Sequence, residues 1–317
     1  RLSDVVAVGE ATIVYDREGN EIDQYVSTNS NRLSVGMDEI PDYLGKAFVA
    51  IEDERFYQHN GIDFKSIIRA GYQFFKTGGE EAQGASTITQ QLLKNTVFTD
   101  WTSEGNNKIK KIKRKIQEQY LALEITKYYS KDEILLRYMN AINLGQNTLG
   151  VESASLRYFG KHCSELTISE CAVIASITQN PSKYNPIRHP EENVKRREKC
   201  LNKMLELGFI SQTQYDEAMA DTDAVYERIG LYDIDYQEAN ATTGSYFSDA
   251  VYEQVKQDLI LSGYNENMAE TLLTSGGLRV ESTLDPKIQA ILNEEYADPS
   301  NYPENVKWYL NYALTII

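Results

Sequence analysis

A mainly α fold is what this sequence predicts, with a short β-hairpin in front and a small α+β segment behind. Three observations carry that expectation. Apolar residues recur at helical spacing through most of residues 41–220, as in Leu44, Phe48 and Ile51. Helix-start signals recur as well: Ser130-Lys-Asp-Glu133 and Thr167-Ile-Ser-Glu170 are capping boxes, and Ser211 with Gln214 makes another. Strand-like stretches are confined to the two ends, at residues 11–26 and at Leu278–Leu284.

In chain order, Thr12–Tyr15 and Ile22–Val26 flank the turn Asp16-Arg-Glu-Gly-Asn20 and read as a hairpin, a structural lead-in over residues 1–40. Pro41 suits the first turn of a helix whose buried face is Leu44, Phe48 and Ile51. Glu52 follows that apolar run directly, with Asp53, Glu54 and Arg55 behind it. A carboxyl set against apolar walls is poorly hydrated, which suits it to take or give a proton. The plain alternative is a solvated helix end. Asp63 is placed to cap a second helix with Ile67, Ile68, Gly71, Phe74 and Phe75 on its buried side, and the glycine-rich loop 77–83 follows. Gly84-Ala-Ser-Thr-Ile-Thr-Gln-Gln-Leu-Leu-Lys-Asn95 then reads as a helix start with Ser86 as its N-cap. Its uncharged hydrogen-bonding side chains and Lys94 could hold a sugar or a phosphate, or could be the outer face of an ordinary helix.

The strongest charge anomaly comes next. Lys108, Lys110, Lys111, Lys113, Arg114 and Lys115 crowd eight residues of a chain whose net charge is −15. Ile109, Ile112, Ile116, Tyr120 and Leu123 give the same segment an apolar helical face, and Arg114 and Glu118 are i, i+4 neighbours. Three readings stay open on spacing alone: a solvated basic face, a nucleic-acid contact without interleaved aromatics, and a pyrophosphate site. Beyond it lie a helix from Ser130 through Met139, a turn-rich link at 140–150, a helix at 151–161, and an apolar helix through Ile177. The proline-broken stretch Gln179–Pro186 follows, then a long helix from Pro190 to Gly208. Residues 221–240 are acidic with weak periodicity and read as a linker, and residues 242–317 hold two helices and a strand.

The 317 residues allow two domains, and 41% apolar content supports a real core. The acidic balance speaks against nucleic acid or anionic lipid as a partner of the whole surface. Cys163, Cys171 and Cys200 are too few for a disulfide framework and read as small core residues. No run of ~20 apolar residues marks a membrane span. The start at Arg1 suggests a piece of a longer protein.

Two motifs decide among these readings. Glu52-Asp53-Glu54-Arg55-Phe56-Tyr57-Gln58-His59-Asn60-Gly61 and the stretch from Gly84 to Gln91 resemble the Glu-Asp-x-x-Phe-x-x-His-x-Gly and Gly-x-Ser-Thr-x-Thr-Gln-Gln signatures of a known family. That family is the peptidoglycan glycosyltransferase domain of class A penicillin-binding proteins and monofunctional transglycosylases. Arg114-Lys115-Ile116-Gln117-Glu118 is similar to its Arg-Lys-x-x-Glu, which brings the pyrophosphate reading forward. The segments Tyr138-Met-Asn140 and Tyr158-Phe-Gly-Lys161 also resemble family segments; a common family Glu is replaced by Leu136.

The resemblance implies a lysozyme-like, two-lobed glycosyltransferase domain over 41–220, with one lobe dipping toward the membrane. Residues 221–317 would be a linker and the start of a segment leading to a transpeptidase domain. No serine here is followed three residues later by lysine, so this chain lacks that domain's nucleophile motif. The implied reaction joins lipid II to a lipid-linked growing glycan chain, with undecaprenyl pyrophosphate as leaving group and inversion to a β-1,4 link. Glu52 would be the general base and Glu118 the second carboxylate. Lys94, Lys110, Arg114 and Lys115 would offset diphosphate charge. Ser86, Thr87, Gln90, Gln91 and Asn95 would position sugar and phosphate oxygens, and Asp53 would orient Glu52. No cofactor is required by the sequence, although a divalent cation (Mg or Mn) at the diphosphate is compatible with the chemistry. Expected partners are the membrane surface at the extracytoplasmic face of the cell membrane and cell-wall synthesis or division proteins, with no nucleic acid. Two rivals are a lysozyme-like hydrolase, which would need no basic diphosphate clamp, and a non-catalytic scaffold, which would have shed the motif residues.

Overall fold

The computed structural model describes residues 12–25, 33–77, 84–98, 108–234, 246–264 and 266–297. By its contacts the chain divides into two compact units. One is built from residues 31–239 together with 1–6, the other from residues 7–30 and 240–317. The sequence was read instead as three consecutive pieces, so the hairpin is grouped differently from the expected lead-in.

In the larger unit the helices are α1 (Asp42–Glu52), α2 (Phe64–Thr77), α3 (Ile88–Thr96), α4 (Lys108–Ile125), α5 (Lys131–Ala141), α6 (Val151–Phe159), α7 (Ile168–Ala175), α8 (Pro190–Glu206), α9 (Gln212–Ala220) and α10 (Thr222–Glu227). Helix α1 is central: it packs on α7 and α8, while α3 packs on α4 and α5. Leu44, Ala47, Phe48, Ile88, Leu92, Leu93, Tyr138, Ile174 and Leu201 are among the side chains of one continuous core. The expected capping boxes at Ser130, Thr167 and Ser211 are formed. Gly208, at φ +69°, lets the chain leave α8 in a left-handed turn. All three cysteines are buried and free.

Three expectations are corrected here. Ile68 is 72% exposed rather than buried, as are Phe64 and Tyr72 on the same face of α2; the side chains of Phe74 and Phe75 and residues 78–83 lie outside the described residues. On α4 the isoleucine face points to solvent: Ile109, Ile112, Ile116 and Tyr120 are 80%, 61%, 62% and 61% exposed. The inward face is Glu118, Ala122 and Ile125 instead, all buried. Helical periodicity sets the isoleucines on the face opposite Glu118, so with Glu118 inward they must point out. The proposed linker also begins with a helix. Val225 of α10 is buried and the Tyr226 hydroxyl donates to Asn193 Oδ1 of α8, so residues 222–227 pack within the larger unit.

The smaller unit is a three-stranded sheet with helices α11 (Tyr246–Leu261), α12 (Glu266–Ser275) and α13 (Pro286–Ala297). Strand β1 (Thr12–Tyr15) lies in the middle. It pairs antiparallel with β2 (Glu21–Tyr25) and parallel with β3 (Arg279–Glu281), Ile13 facing Arg279. The hairpin turn is closed by Asp16, whose Oδ1 accepts from the backbone N–H groups of Glu18 (2.8 Å) and Asn20 (2.9 Å). Val14, Tyr25 and Leu273 form the core of this unit. No described helix is long and apolar enough to cross a membrane.

Candidate active site

Glu52 is the last residue of α1, and its side chain is only 8% exposed. The expected surroundings were apolar walls; the observed ones are polar and cationic. Oε2 accepts a hydrogen bond from Gln91 Nε2 of α3 at 2.8 Å. Oε1 accepts from Arg196 Nη2 of α8 at 2.6 Å and from the Thr178 hydroxyl beyond α7. These partners lie 39, 144 and 126 residues away in sequence. Gln91 is held in turn by the Tyr138 hydroxyl, which donates to its Oε1 at 3.2 Å. Burial first, and the nearby Glu52 second, push the Tyr138 hydroxyl well above its ordinary range, so it stays a neutral donor.

Asp53 does not touch Glu52's carboxylate. It caps the next motif. Its Oδ2 accepts the N–H of Ile88, the first residue of α3, at 3.0 Å, where a carboxylate also meets the positive end of the helix. Its other partner is His59 Nε2, 3.0 Å from both carboxylate oxygens. The two motifs are fastened a second time by Thr87, whose hydroxyl donates to Gly61 O at 2.7 Å. Gly61 has φ +87°, and a Cβ there would lie 2.2 Å from the backbone oxygen of Ala122 on α4. That close approach is why glycine ends the first motif.

The N-cap of α3 is Thr87 rather than Ser86. Thr87 Oγ1 accepts the Gln90 N–H (3.2 Å), and Gln90 Oε1 accepts the Thr87 N–H (3.2 Å). Thr87 and Gln90 are buried in this capping box, so their polar groups serve the helix start. Ser86 is left to look elsewhere: Lys115 Nζ donates to its hydroxyl at 2.9 Å. Lys94 and Asn95 are half-buried in the last turn of α3. Lys110 is exposed on α4.

Glu118 is fully buried, and its charge is met by its own helix. Arg114 donates to Oε1 in a short ion pair, and Lys115 Nζ lies 2.8 Å from Oε2, a close ion pair outside hydrogen-bond geometry. Thus one stretch of chain touches both candidate carboxylate centres: Gln91 binds Glu52, and Ser86 binds the lysine of the Glu118 pair. Among the described residues no cluster of three or more His, Cys, Asp or Glu side chains could hold a metal ion.

Sequence reasoning missed Arg196, Thr178 and Gln179. Arg196 stands among charged residues of a solvated-looking helix, and nothing local sets it apart. Gln179 lay in the proline-broken stretch, and its left-handed backbone (φ +69°) is invisible before folding.

The comparisons with known proteins agree with the motifs. A family model described as Transglycosylase matches residues 18–205. Penicillin-binding protein 1A of Clostridium perfringens is 38% identical over 307 residues, which cover 94% of this chain and 35% of that protein. Penicillin-binding protein 1A of Clostridium botulinum is 38% identical over 316 residues, 97% of this chain and 36% of its own. Penicillin-binding protein 1F of Bacillus subtilis is 36% identical over 290 residues, 92% of this chain and 37% of its own. The crystal structure of penicillin-binding protein 1A from Haemophilus influenzae covers 91% of this chain and 29% of its own at 22% identity, with a TM-score of 0.38, too loose a likeness to carry an argument. The chain spans little more than a third of the length of these curated relatives. The family model covers more than half of the chain, and the chain belongs to the transglycosylase family.

Proposed function

We propose that this chain is a peptidoglycan glycosyltransferase that polymerises lipid II into β-1,4-linked glycan strands. The observation that carries the reading is the shared stretch 86–91, which ties a buried carboxylate on one side to an Arg–Lys–Glu cluster around the buried Glu118 on the other. The acceptor 4-hydroxyl attacks the anomeric carbon of the lipid-linked donor. The bond to the diphosphate oxygen breaks, undecaprenyl pyrophosphate leaves with the electron pair, and the configuration inverts. The hydroxyl proton passes to Glu52. Its Oε1 is committed to Thr178 and Arg196, while Oε2, among the described residues, accepts only from Gln91 and keeps a lone pair for a substrate hydroxyl. Arg114 and Lys115, with Lys94 and Lys110, offset charge on the departing diphosphate, and Glu118 holds the first two in place. Ser86, Gln91 and Asn95 meet sugar and phosphate oxygens, with Thr87, Gln90 and Asp53 shaping the backbone beneath them. A divalent cation (Mg or Mn), where one assists, would be held by the diphosphate oxygens, since no ligand cluster stands among the described residues.

The membrane surface is the proposed second partner, at the extracytoplasmic face of the cell membrane. Phe64, Ile68 and Tyr72 of α2 and Ile109, Ile112, Ile116 and Tyr120 of α4 expose apolar surface beside the lysines of α4, a pattern suited to a lipid interface. Cell-wall synthesis or division proteins are further proposed partners of the whole protein. The deciding assay is gel-resolved polymerisation of labelled lipid II in detergent, wild type beside Glu52→Gln. Polymer from wild type and none from the variant is expected. Equal polymer from both would remove Glu52 from its role. A moenomycin-type phosphoglycolipid should compete for the donor site, and binding unchanged by Lys94→Ala and Arg114→Ala would displace that site.

A further inference from the structure

Arg196 is one of three donors to Glu52, and its own support comes from an unexpected place. The chain leaves α7 through a turn in which Gln179 adopts φ +69°, a left-handed conformation that glycine or asparagine takes far more readily than glutamine. The side chain kept at that position reaches Arg196: Gln179 Oε1 accepts from Nη1 at 2.9 Å. The other terminal nitrogen, Nη2, donates to Glu52 Oε1 at 2.6 Å and to the Thr178 hydroxyl at 3.2 Å. The guanidinium plane lies against the Tyr184 ring, 4.9 Å from its centroid. The same turn leads to that ring, with the Tyr184 N–H donating to Asn180 O at 2.9 Å. Residues 178, 179 and 184 therefore form a cradle for Arg196, and Arg196 fixes one oxygen of Glu52.

We propose that Gln179 is a positioning residue: it is kept in a strained backbone conformation because its amide orients Arg196, which in turn aims the Glu52 carboxylate at the acceptor hydroxyl. This rests on the transfer reaction proposed above. A planar guanidinium bound along one edge can still swing about its Nε–Cζ bond and its side-chain torsions. A second acceptor on the opposite nitrogen removes that freedom. Proton transfer depends on such placement more steeply than substrate binding does.

The test separates backbone from side chain. Gln179→Gly takes up φ +69° without strain and lacks the amide; Gln179→Glu keeps an acceptor at the same reach. In lipid II polymerisation by the 317-residue chain, Gln179→Gly should lose about tenfold in kcat with KM changed by less than about twofold, without a fall in thermal midpoint. Gln179→Glu should recover most of kcat. In an Arg196→Lys background, Gln179→Gly should bring no further loss. Wild-type kcat in Gln179→Gly, or an equal loss in both backgrounds, overturns the proposal. Nitrogen-15 spectra of the arginine side chains read the same contact without turnover. Restricted Arg196 Nη rotation in wild type should be lost in Gln179→Gly and kept in Gln179→Glu, and an unchanged Gln179→Gly spectrum overturns the bracing. A wild-type chain that makes no polymer but shows the spectral change would count against the transfer reading and leave the bracing standing.

Discussion

The two carboxylates singled out for the reaction, Glu118 and Glu52, are seated in opposite ways. Glu118 is met by residues three and four positions away on its own helix, Lys115 and Arg114. Glu52 is met by Gln91, Thr178 and Arg196, drawn from three stretches that only the fold brings together. The first seat is local. It forms wherever the helix forms, and it turns inward a face that the helix's isoleucines do not occupy. The second is global, and disturbing any of three elements should loosen it. The difference separates a residue that is held from a residue that is aimed.

The largest effect expected from this contrast is kinetic. Glu52→Gln should reduce glycan polymerisation by about 10²–10⁴-fold, the range for losing a general base. Retained turnover would make the aimed carboxylate a structural one. The next effect is on stability and belongs to Glu118. Arg114→Ala leaves a fully buried carboxylate with Lys115 alone, which should destabilise the fold by about 3–5 kcal/mol in denaturant titration. A loss below about 1 kcal/mol would mean that the local pair is screened like a surface one. Between the two seats runs the contact of Gly61 with α4. Gly61→Ala puts a methyl 2.2 Å from Ala122 O at φ +87°, and should cost about 2 kcal/mol or more in the same titration. An alanine tolerated there would show that α4 can shift without loss.

The smallest effect is a slope. Lys131 Nζ is buried without a hydrogen-bond partner, 4.3 Å from the centre of the Phe56 ring in the first motif. Burial lowers its pKa from 10.5 to about 8, against a smaller opposing pull from Asp53. Between pH 8 and 10.5 the unfolded chain then binds more protons at this lysine than the folded one, so its contribution to stability rises with pH across that window. Lys131→Met should flatten the wild-type rise there and gain stability below it. Parallel curves for the two proteins would remove Lys131 from this account.

These contrasts also mark what the sequence could and could not tell. The helices of the larger unit other than α10, their capping boxes and the pairing of Arg114 with Glu118 are local, and each is readable from spacing of four residues or fewer. The direction in which α4 faces was not. Its isoleucines promised a buried stripe, yet the opposite face, with Glu118, Ala122 and Ile125, is the one that packs inward. The N-cap of α3 slipped by one residue because Ser86 is in isolation the better cap, and the contacts of Thr87 with Gly61 O and the Gln90 side chain select Thr87 instead. Arg196 and Gln179 were illegible because their roles rest on contacts across 144 and 17 residues and on one backbone angle.

One further consequence follows from β1 lying in parallel register with β3, Ile13 beside Arg279. Strand β1 cannot complete its sheet until β3, at Arg279–Glu281, has been made. Residues 31–239, by contrast, close on themselves. At translation rates of roughly 5–20 residues per second, the hairpin waits on the order of ten to fifty seconds for its partner. The larger unit can therefore fold first, as an insert within a smaller one that is still open. The sheet of the smaller unit is therefore completed late, and a product that stops short of residue 281 would carry an unpaired β1 edge open to association with other chains.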